Sequence, residues 1–350
     1  MTHPNISAFC CISSDSNISS KNATVSSLDR ITAFHQDHAG LLDAYLAVAL
    51  LICLCGVCSN IVCLSAICIY PKLRHIGNIL VANFVCINLV LSSLTYPLSI
   101  LTVYLHRHST LYFPAQFCQW IFFYYFCIHS LCWQECMLAL NRFVAIILPF
   151  HYRKISSRNA IISTVGCGYV VPFLLNVCAA TVGSVALFSS EPPFGACLPN
   201  PSADYIAKMA HGAVGVYLPM SLVGLAYTVI FVKVVTNKVL QRGQPMSGSH
   251  KRRVAVAKML CAGFLWFCLT YLPQPVLTGF FKSSYDSHPW SYVGSRWALF
   301  MGAGANAMVY ALTNKDYRRG MAHVLRHRCG KVKPTGSGTD IQMDAKTQIS

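Results

Sequence analysis

AYLAVALLICLCGVCSNIVCLSAICIY, residues 44–70, runs without a single Asp, Glu, Lys or Arg. A helix apolar on every face is stable only inside a large core or in lipid, and about 20 such residues cross the hydrocarbon layer of a bilayer. Further predominantly apolar stretches, with at most two charged residues each, follow over residues 78–104, 116–148, 160–188, 207–235, 254–281 and 291–312, each bordered by charged or turn-forming residues. Only 11% of the 350 residues are charged and the mean hydropathy is +0.49, where a soluble domain carries about 25% charged residues. These spans predict an all-α fold, a seven-transmembrane helix bundle. Residues 1–43 form an amino-terminal tail, 44–312 the membrane domain, 313–328 a short amphipathic helix and 329–350 a carboxy-terminal tail.

Basic residues give the chain a direction. In this topology 21 of the 27 Lys and Arg, from Lys72 and Arg74 to Lys346, fall on one side and six on the other. The positive-inside bias makes the richer side cytoplasmic. The formal net charge of +16 is then a sidedness signal and points to no nucleic-acid partner. The opposite side holds three N-glycosylation acceptors, Asn5-Ile-Ser, Asn17-Ile-Ser and Asn22-Ala-Thr, which belong outside. Residues 1–40 contain no apolar stretch long enough for a cleaved signal, so the first span is expected to act as the anchor. The expectation is a multi-pass plasma-membrane protein with its amino terminus extracellular and its carboxy terminus cytoplasmic.

Several stretches carry more than hydropathy requires. The first span contains Gly56-Val-Cys-Ser-Asn60 and the second Asn83-Phe-Val-Cys-Ile-Asn88. The third closes on Asn141-Arg142-Phe143, followed by Pro149 and Tyr152. The fifth holds Pro219 and, eight residues on, Tyr227; the sixth reads Phe267-Cys-Leu-Thr270-Tyr271-Leu-Pro273. The seventh ends Asn306-Ala307-Met308-Val309-Tyr310, and a basic segment follows to Cys329.

Together, over roughly residues 40–328, these stretches resemble the rhodopsin-like G-protein-coupled receptors. Asn141-Arg142-Phe143 is similar to that family's Asp-Arg-Tyr motif, and Asn306 to Tyr310 is similar to its Asn-Pro-x-x-Tyr. The Asn-Arg start, the Asn-Ala ending and Tyr152-Arg-Lys-Ile-Ser-Ser157 are similar to melatonin receptors and their orphan relatives. The resemblance implies a receptor that passes an extracellular ligand's signal to a heterotrimeric G protein. It assigns coupling and switch roles to Asn141, Arg142, Phe143, Tyr227, Phe267, Tyr271, Pro273, Asn306 and Tyr310. Pro273 removes a backbone hydrogen bond and supplies a kink about which the sixth helix can pivot. The segment after Tyr310 looks like the amphipathic eighth helix on the inner leaflet, with Cys329 a candidate palmitoyl site.

Departures from the family pattern are equally specific. Asn88 stands where the family has a buried Asp, Thr270 and Tyr271 replace Cys and Trp, and Ala307 replaces Pro. No Trp occurs between Trp133 and Trp266, so the fourth-helix Trp is missing. These changes keep a non-signalling or decoy receptor on the same scaffold as the alternative function.

Most of the 18 cysteines fall inside spans and read as small apolar residues. Cys118, at the outer start of the third span, and Cys197, between the fourth and fifth, sit where an oxidising exterior permits a bridge. Cys118 lies one residue closer to Arg142 than the family spacing.

For the ligand, the outer half of the third span, including Tyr124, offers no Asp to hold an amine. The outer helix ends instead offer Lys208, His211, Lys282 and Arg296, with Tyr271 as a further candidate contact. Arg296 precedes Asn306 by ten residues, about 15 Å along a helix. A ligand with a carboxylate or other anion follows, against the alternative that these bases only snorkel to headgroups.

Glu135 is the acid inside a span, where a charge costs roughly 2.5 to 3.5 kcal/mol. The resemblance puts it at the depth of Asn60, Asn88 and Asn306, where the family holds a sodium ion on the Asp that is here Asn88. Glu135 is expected either to retain a displaced sodium site or to act as a neutral hydrogen-bond donor to the asparagines. A Glu satisfied by a backbone carbonyl, without a switching role, is the third reading.

No Gly-rich phosphate loop, His-Glu-x-x-His helix or Gly-x-Ser-x-Gly elbow appears, so no enzyme and no organic cofactor is expected. His106-Arg107-His108 and His288-Pro289-Trp290 lack a Cys or carboxylate at metal-ligand spacing. Residues 291–312 contain no Lys for a retinal Schiff base, and the paired repeats of a transporter are absent.

Overall fold

The computed structural model describes residues 29–74, 78–108, 118, 122–148, 152, 157–181, 188–191, 194–200, 202–240 and 261–329. The acceptors Asn5, Asn17 and Asn22, residues 241–260, the tail beyond 329 and the side chain of Cys329 lie outside the described residues.

Three of the helices change geometry beside a proline, while the fourth runs through Pro172 uninterrupted. The first spanning helix, Ala39–Ile69, is uninterrupted over 31 residues. The second runs Ile79–Val90, widens into a π-turn at Leu91–Thr95 and continues as Tyr96–His108. The third is Phe122–Ile147 and the fourth Arg158–Thr181. The fifth repeats the device: Tyr205–Gly212, a π-turn at Ala213–Tyr217, then Leu218–Leu240. Both π-turns end two residues before a proline, Pro97 and Pro219. A proline ring clashes with the carbonyl one turn earlier and donates no hydrogen bond, so the preceding turn widens. In the sixth helix the proline interrupts without breaking: residues 261–271 and Pro273–Phe280 are joined through Leu272, whose N donates to Cys268 O (3.2 Å) and whose O accepts from Val276 N (3.1 Å). The seventh is Pro289–Thr313, and Lys315–Cys329 forms the eighth.

Among the described residues, Ala39–Ile69, Ile79–Arg107, Arg158–Cys178 and Tyr205–Thr236 are long and apolar enough to cross a membrane on composition alone. The third and seventh helices are long but carry buried polar side chains, His129, Gln134 and Glu135 on one, Arg296 and Asn306 on the other. Large apolar residues such as Leu54, Leu225 and Leu269 point outward, the pattern of a surface solvated by lipid.

The first and seventh helices meet at glycines. Ser59 Oγ donates to Gly304 O (2.7 Å), and Asn60 Nδ2 donates to Ala303 O (3.0 Å) and Gly56 O (2.8 Å). A Cβ added at Gly56 would lie 2.9 Å from Gly304 Cα and 2.7 Å from Ser92 Oγ. Gly56→Ala is therefore expected to push the helices apart at a cost of about 1–3 kcal/mol. Thermal unfolding of the detergent-solubilised protein should show a midpoint lowered by several degrees, and an unchanged midpoint would contradict the close approach.

Within the amino-terminal segment, residues 29–37 are helical, with Ile31 and His35 buried. The fourth span does not reach 188, because its helix ends at Thr181 and Phe188 opens a strand. Strand β1 (Phe188–Glu191) pairs antiparallel with β2 (Ala196–Pro199). Four-residue strands are too short to carry a readable alternation. Cys118 and Cys197 form a disulfide that ties β2 to the start of the third helix. Gly195 sits at φ +72° with His106 so close that a Cβ would lie 2.6 Å from its ring.

Candidate functional site

At the disulfide end of the bundle, the seventh helix carries Tyr292 and, one turn on, Arg296, which is 1% exposed. Arg296 Nη1 donates to Tyr124 Oη at 2.7 Å. Its guanidinium carbon lies 5.8 Å from the Tyr124 ring centroid and 5.4 Å from that of Tyr292. Tyr124, Tyr292, Tyr285 and Tyr45 are the ionisable groups around it. Nε and Nη2 find no hydrogen-bond partner among the described residues, and neither do the hydroxyls of Tyr45, Tyr285 and Tyr292. The ion pairs seen at this end, Arg107 with Asp43 and Lys282 with Asp286, leave Arg296 without a described carboxylate. Burying an ion costs several kcal/mol, whereas cation–π contact returns about 2 kcal/mol and one bond from a charged donor about 1.5–3 kcal/mol. These contacts are of the same order as the cost, and no carboxylate among the described residues faces the guanidinium.

A lid of aromatic rings closes it. Phe194, in the hairpin turn, stacks on Tyr292 with centroids 3.6 Å apart and planes 11° from parallel. Phe34, from the helical segment 29–37, packs edge-on against Phe194 at 4.7 Å. His35 Nε2 lies 3.1 Å from Phe194 O. Arg107 donates to His35 O (3.4 Å) and to the Asp43 carboxylate (3.3 and 3.4 Å), which fixes the segment to the first and second helices.

Of the residues singled out for the ligand, Tyr124 and Arg296 come together. Lys208 Nζ donates to Asn200 O (3.2 Å) and Lys282 pairs with Asp286 (3.4 Å), so neither joins them. Tyr271 is buried against Phe267, centroids 4.6 Å apart, and a Cβ at Gly302 would overlap its ring. His211 belongs to a group not anticipated from the sequence. Asn176 Nδ2 donates to His129 Nδ1, and Asn176 Oδ1 accepts from His211 Nε2, both at 3.1 Å. All three are buried, linking the third, fourth and fifth helices. Gly215, inside the fifth-helix π-turn, leaves the space that the His129 ring fills. The available sequence signal was a polar side chain, His129, Asn176 and His211, within each of three apolar spans.

At the eighth-helix end, Tyr227 Oη donates to Glu135 Oε1 at 3.2 Å. None of Asn60, Asn88 and Asn306 hydrogen-bonds Glu135: Asn60 is held by Gly56 and Ala303, and Asn88 Nδ2 donates to Phe84 O at 2.8 Å. Asn88 Oδ1 and Asn306 Nδ2 have no described partner. The Tyr310 and Tyr317 rings stack at 5.5 Å, joining the seventh helix to the eighth. Asn141 and Phe143 are half-buried beside Arg142. Arg142 Nε has no described partner, since the adjacent Asn141 supplies no carboxylate. Lys233 Nζ donates to Ile147 O at 3.3 Å, closing the third helix against the fifth.

The bundle of apolar helices thus holds a buried arginine at the disulfide end and a half-buried one, Arg142, toward the eighth-helix end. Residues 59–310 match the 7 transmembrane receptor (rhodopsin family), and the chain belongs to that family; it is a multi-pass membrane protein of a family of signalling receptors rather than enzymes. G-protein coupled receptor 84 of Bos taurus is 26% identical over 238 residues, covering 66% of this chain and 56% of its own length. Neuropeptide receptor 22 of Caenorhabditis elegans is 21% identical over 290 residues, 77% of this chain and 66% of its own. Melatonin receptor type 1A of Gallus gallus is 24% identical over 259 residues, 71% of this chain and 70% of its own. The chain thus spans 56% and 66% of the length of the first two relatives.

Proposed function

We propose that this chain binds an extracellular ligand through an anionic group held by Arg296 and relays the event to a heterotrimeric G protein at the eighth-helix end. The observation that carries this reading is Arg296 itself, buried with no carboxylate among the described residues and with free donors. Two of the three relatives are named for different ligands, a neuropeptide and melatonin, so no ligand is carried over. The orientation proposed has the disulfide, the hairpin and the three sequons outside and the basic eighth helix inside, following the distribution of Lys and Arg. Glycosidase should shift the mobility of protein made in eukaryotic cells, while antibody access to residues 330–350 without permeabilisation would reverse the topology.

The test of function is nucleotide exchange by a G protein co-reconstituted with the purified receptor in lipid nanodiscs, screened against anionic, neutral and amine compounds. Exchange driven by anions is the expected result. Exchange driven only by amines rejects the anionic ligand. Arg296-dependent anion binding with no exchange for any G-protein class would mark the chain as a decoy.

For Glu135, the hydrogen bond from Tyr227 supports a link between the third and fifth helices in place of one to the asparagines. Glu135→Gln keeps an acceptor for Tyr227 and should fold and signal. Glu135→Leu leaves the buried hydroxyl unpaired, a loss of about 1–3 kcal/mol. A sodium-dependent rise in thermal midpoint in wild type that vanishes in Glu135→Gln would instead favour an ion there.

A further inference from the structure

We infer that residues 29–37 are a hinged gate made of the receptor's own chain, clipped shut by Arg107 over the approach to Arg296; the gate's role toward a ligand rests on the anionic-ligand reading above. The segment docks by one face. Ile31, Phe34, His35 and His38 are buried or half-buried, while the residues between them are exposed, the i, i+3, i+4, i+7 stripe of a helix lying on a surface. It covers the hairpin turn. Phe34 meets Phe194 edge-on at 4.7 Å, and His35 Nε2 lies 3.1 Å from Phe194 O; a carbonyl only accepts, so the ring nitrogen donates. Phe194 in turn stacks on Tyr292, whose ring lies beside the Arg296 guanidinium. The segment therefore pins the ring that covers Tyr292.

The joint lies at His38. Its backbone, at φ −117° and ψ 32°, leaves the helical region between the segment and the first helix. Gly40 follows, with nothing within 4 Å of where a Cβ would lie. Hydrogen bonds from His38 N to Phe34 O (3.0 Å) and from Leu42 N to His38 O (3.1 Å) cross the joint, so the chain bends there without breaking. A few residues at the end of an element suffice to carry a hinge motion. Arg107, on the second helix, grips both sides of this joint. Its Nε and Nη2 donate to the Asp43 carboxylate on the first-helix side, and its Nη1 donates to His35 O on the segment side. A planar guanidinium fork can hold two acceptors at once, which a single ammonium does poorly. The Arg107 and Asp43 side chains are 19% and 53% exposed, and an ion pair in contact with water is weak, so the clip biases the segment shut and still lets it open. A ligand that binds only the open form is then weakened in proportion to the fraction of time the gate stands open.

The experiment uses the full-length receptor in nanodiscs and 4-hydroxyphenylglyoxal, a polar arginine reagent, with modification of each arginine followed by mass spectrometry. Arg158 and Arg318, both exposed, report the unhindered rate, and Arg296 should react far more slowly than either. Arg107→Lys and Phe34→Ala should each speed modification of Arg296 by roughly 3- to 10-fold, the worth of one hydrogen bond or one aromatic pair, and leave Arg158 and Arg318 as they were. Benzoate serves as the anion probe. Its affinity, from the concentration dependence of the thermal midpoint, should improve in each variant by the same factor as the modification rate, since both scale with the open fraction. Arg296 as reactive in wild type as the exposed arginines overturns the gate. So does a wild-type rate at Arg296 in both variants, and if Phe194→Ala alone raises that rate, the hairpin is the whole cover; benzoate binding through Arg296 would then leave the anionic ligand standing. Faster modification in both variants with no benzoate binding in any form upholds the gate and counts against the anionic ligand.

Discussion

Arg296→Leu is expected to raise the concentration of an activating anion needed for half-maximal response by roughly 30-fold to several thousandfold. That range corresponds to the 2–5 kcal/mol lost when one partner of a buried charge pair is removed, at 1.4 kcal/mol per tenfold. The same substitution should leave the ligand-free protein as stable as wild type, or more so. Arg296 has one hydrogen bond, to Tyr124, and no described carboxylate, so an apolar side chain of similar bulk removes an uncompensated charge. The two signs together separate a binding role from a structural one. A dose–response series beside a thermal melt suffices: unchanged potency with a collapsed midpoint would mean that Arg296 holds the helices together and binds nothing.

Arg142→Ala is expected to reduce ligand-driven nucleotide exchange to the basal rate while shifting ligand affinity by no more than the allosteric coupling between the two ends, about 5- to 150-fold. Arg142 is half-buried at the inner end of the third helix, Asn141 next to it provides no carboxylate, and its Nε has no partner among the described residues, so no described ion pair ties it to the bundle. Tyr227→Phe should give a smaller loss, because it deletes the bond to Glu135 and leaves the ring in place. Exchange unaffected by Arg142→Ala, measured in the reconstituted system, would remove Arg142 from the coupling mechanism.

Much of the architecture was legible before any coordinates, for a physical reason. In a bilayer every backbone polar group must be satisfied within its own helix, so a run such as residues 44–70 admits one solution, whereas proline alone does not settle where a helix changes: Pro219 follows a π-turn, while Pro172 sits inside the uninterrupted fourth helix. The pairing of Cys118 with Cys197 and the prominence of Arg296 and Glu135 came from the same source, since rare polar or reactive groups stand out against an apolar background. Partners were not legible. Glu135 pairs with Tyr227 across 92 residues, His129 with Asn176 across 47, and His35 meets Phe194 across 159. Helical periodicity says which residues share a face, but the rotation of each helix about its axis is set by packing, as where Gly56 meets Gly304. The sequence by itself determined the class of protein, the spans and the rare polar groups within them; the tertiary structure alone decided that four tyrosines and an aromatic lid enclose Arg296, because contacts between distant segments arise only when the helices pack.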